Sequence, residues 1–203
     1  MKAEAVPTVR RREMSRDLAV CGLFAALIAI GAFVKVVIPA GADTINFTLQ
    51  WFFVLLAAFL LGSKRAFLSV GVYLAIGLLG VPVFARGGGP AYIIRPTFGF
   101  LLGFAAAAFA AGKICEVRRT LRPSVLAAAS FAAYLLYYGA GMIYFYLIMR
   151  FVASQPVGWG AVFMVYCMPT MFPDIILCVL AAAAARRLRP VVRPFLEEYG
   201  ENR

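Results

Sequence analysis

Asp174 is an acid set inside a long apolar run, between Met171-Phe172-Pro173 and Ile175-Ile176-Leu177. A charged group at the centre of a membrane-spanning helix costs about 2.5–3.5 kcal/mol on insertion scales, and such groups usually face a polar cavity or a partner. Two roles fit it. One is contact with a bound ligand; the other is a helix cap after Pro173, its carboxyl taking freed backbone N–H groups. Counting at about 1.5 Å per helical residue puts Asp174 roughly 18 Å above Arg186, Gln50 roughly 21 Å above Lys64, and Tyr138 at about the same height above Ser124. Arg95 and Tyr144 fall about one or two turns further out. Three helices thus place polar groups in one layer below an outer rim, the pattern of a pocket open to the outside. Arg86 and Arg95 flank Gly87-Gly88-Gly89 and suit a ligand carboxylate, with phospholipid headgroups as the competing partner. The three glycines fit either an anion-binding nest or a plain turn. Tyr137, Tyr138, Tyr144 and Tyr146 also fit an interfacial aromatic belt.

The elements that position these groups follow from apolar runs and their punctuation. Runs cover Leu18 to Ile38 (opened by Ser15 and stopped by Pro39), Phe47 to Leu61, Phe67 to Val81, Pro96 to Gly112, Ser124 to Val152 with Pro123 in its first turn, and Trp159 to Ala185, interrupted by Pro169 and Pro173. Each reads as a spanning helix, which takes about 20 apolar residues. The first run exceeds the 7–15 residue apolar core of a cleaved signal peptide and reads as retained. The expected architecture is an all-α membrane protein of six transmembrane helices. It forms one integral membrane domain over 1–203, with the bundle at 17–189 and cytoplasmic tails at 1–16 and 190–203.

Composition supports this class. Of 203 residues, 64% are hydrophobic and 14% charged, against roughly 45–50% and 25% in soluble domains. The net charge of +11 sets orientation in such a chain rather than marking a nucleic-acid-binding face. With six spans, sixteen of the twenty Lys and Arg residues fall on the side of both termini, which places the termini in the cytoplasm. Cys21, Cys115, Cys167 and Cys178 form no C-x-x-C pair and, with no histidine in the chain, no zinc set or metal site is expected. No phosphate-binding G-x-x-x-x-G-K-[ST] run occurs and the usual general base is absent, so the chain is not expected to be an enzyme or to carry its own nucleotide motor. On the first helix, Gly22, Ala25, Ala26 and Ala29 recur at i, i+3, i+4 and i+7, a face that lets another helix approach closely.

The stretches Phe24-Ala25-Ala26-Leu27-Ile28-Ala29, Phe47-Thr48-Leu49-Gln50, and Tyr73 through Gly80-Val81-Pro82-Val83-Phe84 resemble the BioY family. So do Gly87-Gly88-Gly89-Pro90, Pro96-Thr97-Phe98-Gly99-Phe100, Tyr138-x-x-Gly141-x-x-Tyr144 and Cys167-Met168-Pro169 through Pro173-Asp174. These are the biotin-binding S components of energy-coupling factor (ECF) transporters. The resemblance implies a six-helix bundle in a bacterial or archaeal plasma membrane, with a pocket near the outer face and docking on a transmembrane T component with two ATPase subunits. It maps the docking face to Ala25 and Ala29, beside Gly22. It maps the acidic ligand contact to Asp174, accepting ureido N–H groups of biotin, a transported ligand rather than a cofactor. Gln50 would share the polar bicycle, Tyr138 and Tyr144 would wall it, and Arg95 or Arg86 would meet the carboxylate. Many members carry a lysine beside the aspartate or one turn later; this chain has Pro173 and Leu177, and Arg95 is the candidate replacement. The alternatives are an S component for another carboxylated cofactor such as lipoate, and a structural or assembly membrane protein.

Overall fold

The computed structural model describes residues 5–40, 43–155 and 157–197, with side chains placed over 14–38, 46–155 and 157–192. Helix α1 runs Ala5–Phe33 and leads into an antiparallel hairpin of β1 (Lys35–Ala40) and β2 (Asp43–Thr48). Val36 lies opposite Phe47, and Val37 opposite Asn46. The all-α expectation is therefore corrected: the bundle carries a two-stranded sheet, and the first helix stops at Phe33 rather than at Ile38. Val36-Val37-Ile38 prolongs the apolar run without a break, and an apolar run alone does not separate strand from helix. Branched side chains on both strands favour the extended backbone there. Nor does Ser15 open a helix, because α1 already runs through it. The helices also continue past positions 17 and 189, from Ala5 and as far as Glu197.

Helix α2 (Gln50–Leu61) is apolar on all sides and only twelve residues long, and nine of those twelve are buried. It can be short because its neighbours cover it. Gly62, at φ 82°, turns the chain directly into α3 (Ser63–Leu78). The start of α3 is held by Glu116, whose Oε1 accepts the Ser63 backbone N–H at 2.7 Å and whose Oε2 accepts the Ser63 hydroxyl at 2.8 Å. A glycine-rich loop and a short 3-10 turn, Pro90–Ile94, precede α4 (Phe98–Arg118). Helix α5 (Pro123–Phe151) starts on Pro123, where a missing N–H costs nothing.

The last helix, α6, is built from Trp159–Ala161, a π-helical turn Val162–Cys167, and Met168–Glu197. Pro169 and Pro173 therefore do not break it; the wider turn lies just before the first of them. Among the described residues four stretches are long and apolar enough to cross a membrane: Met14–Phe33, Phe98–Arg118, Pro123–Phe151 and Trp159–Val192. The chain is thus a mostly helical, multi-pass membrane protein, with six helices among the described residues.

Helices α4 and α5 share the most extensive packing in the bundle. A Cβ at Gly103 would sit 2.8 Å from the Tyr137 carbonyl oxygen and 3.0 Å from its Cα, so the two backbones touch there. Without a hydrophobic drive between helices in lipid, such close packing is what holds them. It also fixes Tyr137 and Tyr138 in depth and direction.

Candidate functional site

Between the hairpin, the glycine-rich loop and the near ends of α2, α4, α5 and α6 lies a cavity of about 80 Å³. Its polar wall comes from Asn46 and Thr48, two residues apart on β2, with Gln50, Arg86, Thr97 and Thr170. Its apolar wall is aromatic, including Phe100, Phe104 and Tyr137. Tyr137 stacks on Phe104 with centroids 5.1 Å apart and on Trp51 at 4.6 Å, so one ring face fixes the next. The indole N–H of Trp51 donates to Cys178 Sγ at 3.3 Å, which ties this stack to α6. Stacked aromatics over a few placed polar groups are the usual make-up of a small-molecule site.

Gln50, 2% exposed, is held at both ends: its Nε2 donates to the Tyr73 hydroxyl at 2.7 Å, and Thr48 Oγ1 donates to its Oε1 at 3.2 Å. Asp174 is also 2% exposed but lies behind the wall rather than in it. Its Oδ2 accepts the Tyr138 hydroxyl at 2.6 Å, and the Tyr138 oxygen lies 3.0 Å from Thr170 Oγ1. Thr170 also has the Cys167 carbonyl within reach at 3.0 Å. With Tyr138 giving its proton to Asp174, Thr170 has one proton to share between Tyr138 and Cys167. Thr170 is thereby two hydrogen bonds away from Asp174, and a ligand group bound to Thr170 would be three away. The continuous helix and this side-chain partner identify Asp174 as part of an interhelical network, not as a cap after Pro173.

The outer rim is organised differently from the depth count. Arg86 lines the cavity. Arg95 is exposed, its guanidinium carbon 5.4 Å from the centroid of Tyr92, a ring that itself lines the cavity. Tyr144 donates its hydroxyl to the Ile93 carbonyl at 2.6 Å and so pins the 3-10 turn from outside. Both brace the loop and neither lines the cavity. The glycine loop is a turn whose donors are used internally: Gly87 N–H reaches Phe84 O at 3.1 Å, and Gly89 N–H reaches Gly77 O at 2.7 Å. Lys35 Nζ donates to the Ala85 carbonyl at 2.5 Å and joins the hairpin to the loop beside the cavity, which Ala85 lines.

Of the small residues on α1, Ala25 is 3% exposed and packed into the bundle, Ala29 is half-buried, and Gly22 and Ala26 face outward. The Trp51–Tyr137–Phe104 stack, Asn46, Thr48, Thr97 and Thr170 were not among the site groups expected from the sequence. Thr170 was accessible by spacing, since it stands four residues before Asp174 on the same helical face. Asn46 and Thr48 required knowledge of the strand.

The BioY family model matches residues 2–194. A probable biotin transporter BioY from Lysinibacillus sphaericus is 35% identical over 183 residues, covering 90% of this chain and 91% of its own length. The biotin transporter BioY of Thermotoga maritima is 38% identical over 176 residues, covering 86% and 96%. The crystal structure of an S-component for biotin from an ECF-type ABC transporter shares the fold, with a TM-score of 0.74 at 24% identity over 88% of this chain and 93% of that one. With the family model spanning nearly the whole sequence, this chain belongs to the BioY family.

Proposed function

We propose that this chain is the substrate-capturing S component of an ECF-type vitamin transporter and that it binds biotin in the cavity under the hairpin. The observation that carries this reading is the cavity's division into a polar wall and a stacked aromatic wall. A ureido ring needs fixed acceptors and donors, which Asn46, Thr48, Gln50 and Thr170 offer, with Asp174 acting through Tyr138 and Thr170. The thioether ring and valeryl chain suit the aromatic face, and Arg86 is placed to meet the terminal carboxylate. At about 80 Å³ the void is smaller than pockets that enclose drug-sized ligands. Biotin entry would then widen this cavity, and the Lys35–Ala85 bond between hairpin and glycine loop is the contact we expect to open.

The charge asymmetry supports both termini in the cytoplasm and the cavity facing out, in the plasma membrane of a bacterium or archaeon. Docking on a T component, with ATPases supplying the energy, would use the outward small residues Gly22 and Ala26, with Ala29 at the margin. Ala25 would support that face from inside. Titration calorimetry of the purified chain with biotin tests the reading: saturable one-to-one binding that lipoate does not compete away supports it. Absence of biotin binding, or equal competition by lipoate, refutes it.

A further inference from the structure

At the far end of the bundle, where α2 passes into α3 and where α4 finishes beside α6, a second cleft of about 450 Å³ opens. Its lining combines apolar side chains such as Leu61 and Leu121 with Arg65, Arg119 and Arg189, contributed by α3, the end of α4 and α6. The acids nearby offset part of this charge. Arg65 pairs with Asp17 at 2.9 Å, and both oxygens of Glu116 are occupied by Ser63. Arg119 and Arg189 meet no carboxylate among the described residues.

One turn before Arg189, Arg186 stands at a second groove of about 400 Å³ between α5 and α6, lined by apolar residues including Leu126, Ile175 and Val179. Ile175 and Val179 are large, exposed and on a helix long enough to cross a membrane, so this groove faces lipid chains. A guanidinium cluster at the end of a spanning bundle, next to a groove that accepts hydrocarbon, matches a molecule with a phosphate head and an apolar tail. Guanidinium forks bind phosphate oxygens in pairs, and basic pockets between helices are suited to anionic headgroups. We infer that the Arg65–Arg119–Arg189 cleft seats the phosphodiester headgroup of an anionic phospholipid, with an acyl chain running along the α5–α6 groove. The site is separate from the biotin cavity and does not depend on the transport reading.

The test is native mass spectrometry of the full chain in detergent, titrated with phosphatidylglycerol, with phosphatidylcholine and, separately, with inorganic phosphate. Phosphatidylglycerol should bind in preference to phosphatidylcholine. Arg119→Gln and Arg189→Gln should each weaken it about fivefold, and together roughly 25-fold, the effect of removing one or two basic groups near an anionic surface. The Arg119→Lys, Arg189→Lys pair should keep most of the preference, since lysine still holds phosphate as a point charge. Should the double Gln variant fail to fold, the two single variants carry the comparison. Equal affinity for the two lipids, or a preference that survives both Gln substitutions, overturns the proposal. So does displacement of the lipid by equimolar inorganic phosphate, which would make this a free-anion site. Loss of assembly with partner subunits while lipid preference stays intact would make it a protein interface and overturn it as well.

Discussion

Replacing Tyr138 by Phe removes one oxygen from the layer beneath the cavity and leaves the ring in place. That oxygen donates to Asp174 at 2.6 Å and lies 3.0 Å from Thr170, and both end groups are buried. Interhelical hydrogen bonds within membranes average about 0.6 kcal/mol in double-mutant cycles, with a maximum near 1.7 kcal/mol. This one belongs at the upper end, because it is short and because the carboxyl group is screened from water. We expect Tyr138→Phe to cost about 1–3 kcal/mol, the usual penalty for leaving a buried polar group unpaired. The coupling energy between Tyr138→Phe and Asp174→Ala, which leaves no acceptor, should be about 1.5 kcal/mol. Reversible unfolding in mixed micelles with increasing dodecyl sulfate measures all four corners of the cycle. Tyr134→Phe is the control: its hydroxyl goes to the Met171 carbonyl at 3.0 Å, so its coupling to Asp174→Ala should be small. A Tyr138–Asp174 coupling below about 0.5 kcal/mol, the level at which independent sites simply add, would refute the network.

Three further outcomes follow from the same geometry. Gly103→Val should force α4 and α5 apart at the Tyr137 backbone, destabilising the fold by about 1–3 kcal/mol and loosening the aromatic wall; micelle unfolding measures the first effect and biotin titration the second. Arg86→Gln should weaken biotin roughly 10- to 100-fold, the worth of a hydrogen-bonded charge, while leaving biotin methyl ester nearly unaffected; titration of both ligands decides it. Lys35→Met should release the hairpin from the Ala85 carbonyl, so that hydrogen exchange across residues 84–97 speeds up by about two- to fivefold, a modest change because the contact is exposed.

The helical runs were legible because hydrocarbon demands long apolar segments, and because Gly62, Pro123 and the glycine-rich loop mark their ends. Asp174 was legible for the same reason, since an acid in such a segment needs a partner. Depth along the helix put Tyr138 in the same layer, expected as a wall for the ligand rather than as the partner of Asp174, because depth carries no direction: the same count placed Gln50 in that layer, where it turns to Tyr73. The hairpin was hidden because Val36 to Ile38 reads equally well as the end of a helix. Without the hairpin, Asn46 and Thr48 had no reason to face a cavity. Arg86 and Arg95 are indistinguishable by composition and spacing; only the 3-10 turn between them sends one to the cavity and the other over Tyr92. The Trp51–Tyr137–Phe104 stack has no sequence signature, because aromatic residues in apolar helices carry no periodic mark of which face they share.

In the proposed complex biotin sits against the wall formed by Gln50 and Thr170. Calorimetric titration of biotin into the wild type, Gln50→Leu, Thr170→Val and the remote Lys113→Gln tests it most directly. Wild type and Lys113→Gln should bind biotin tightly and one-to-one, with affinity reduced about tenfold or more in each wall variant, as for a lost hydrogen bond in a buried site. Undiminished binding in both wall variants would contradict it.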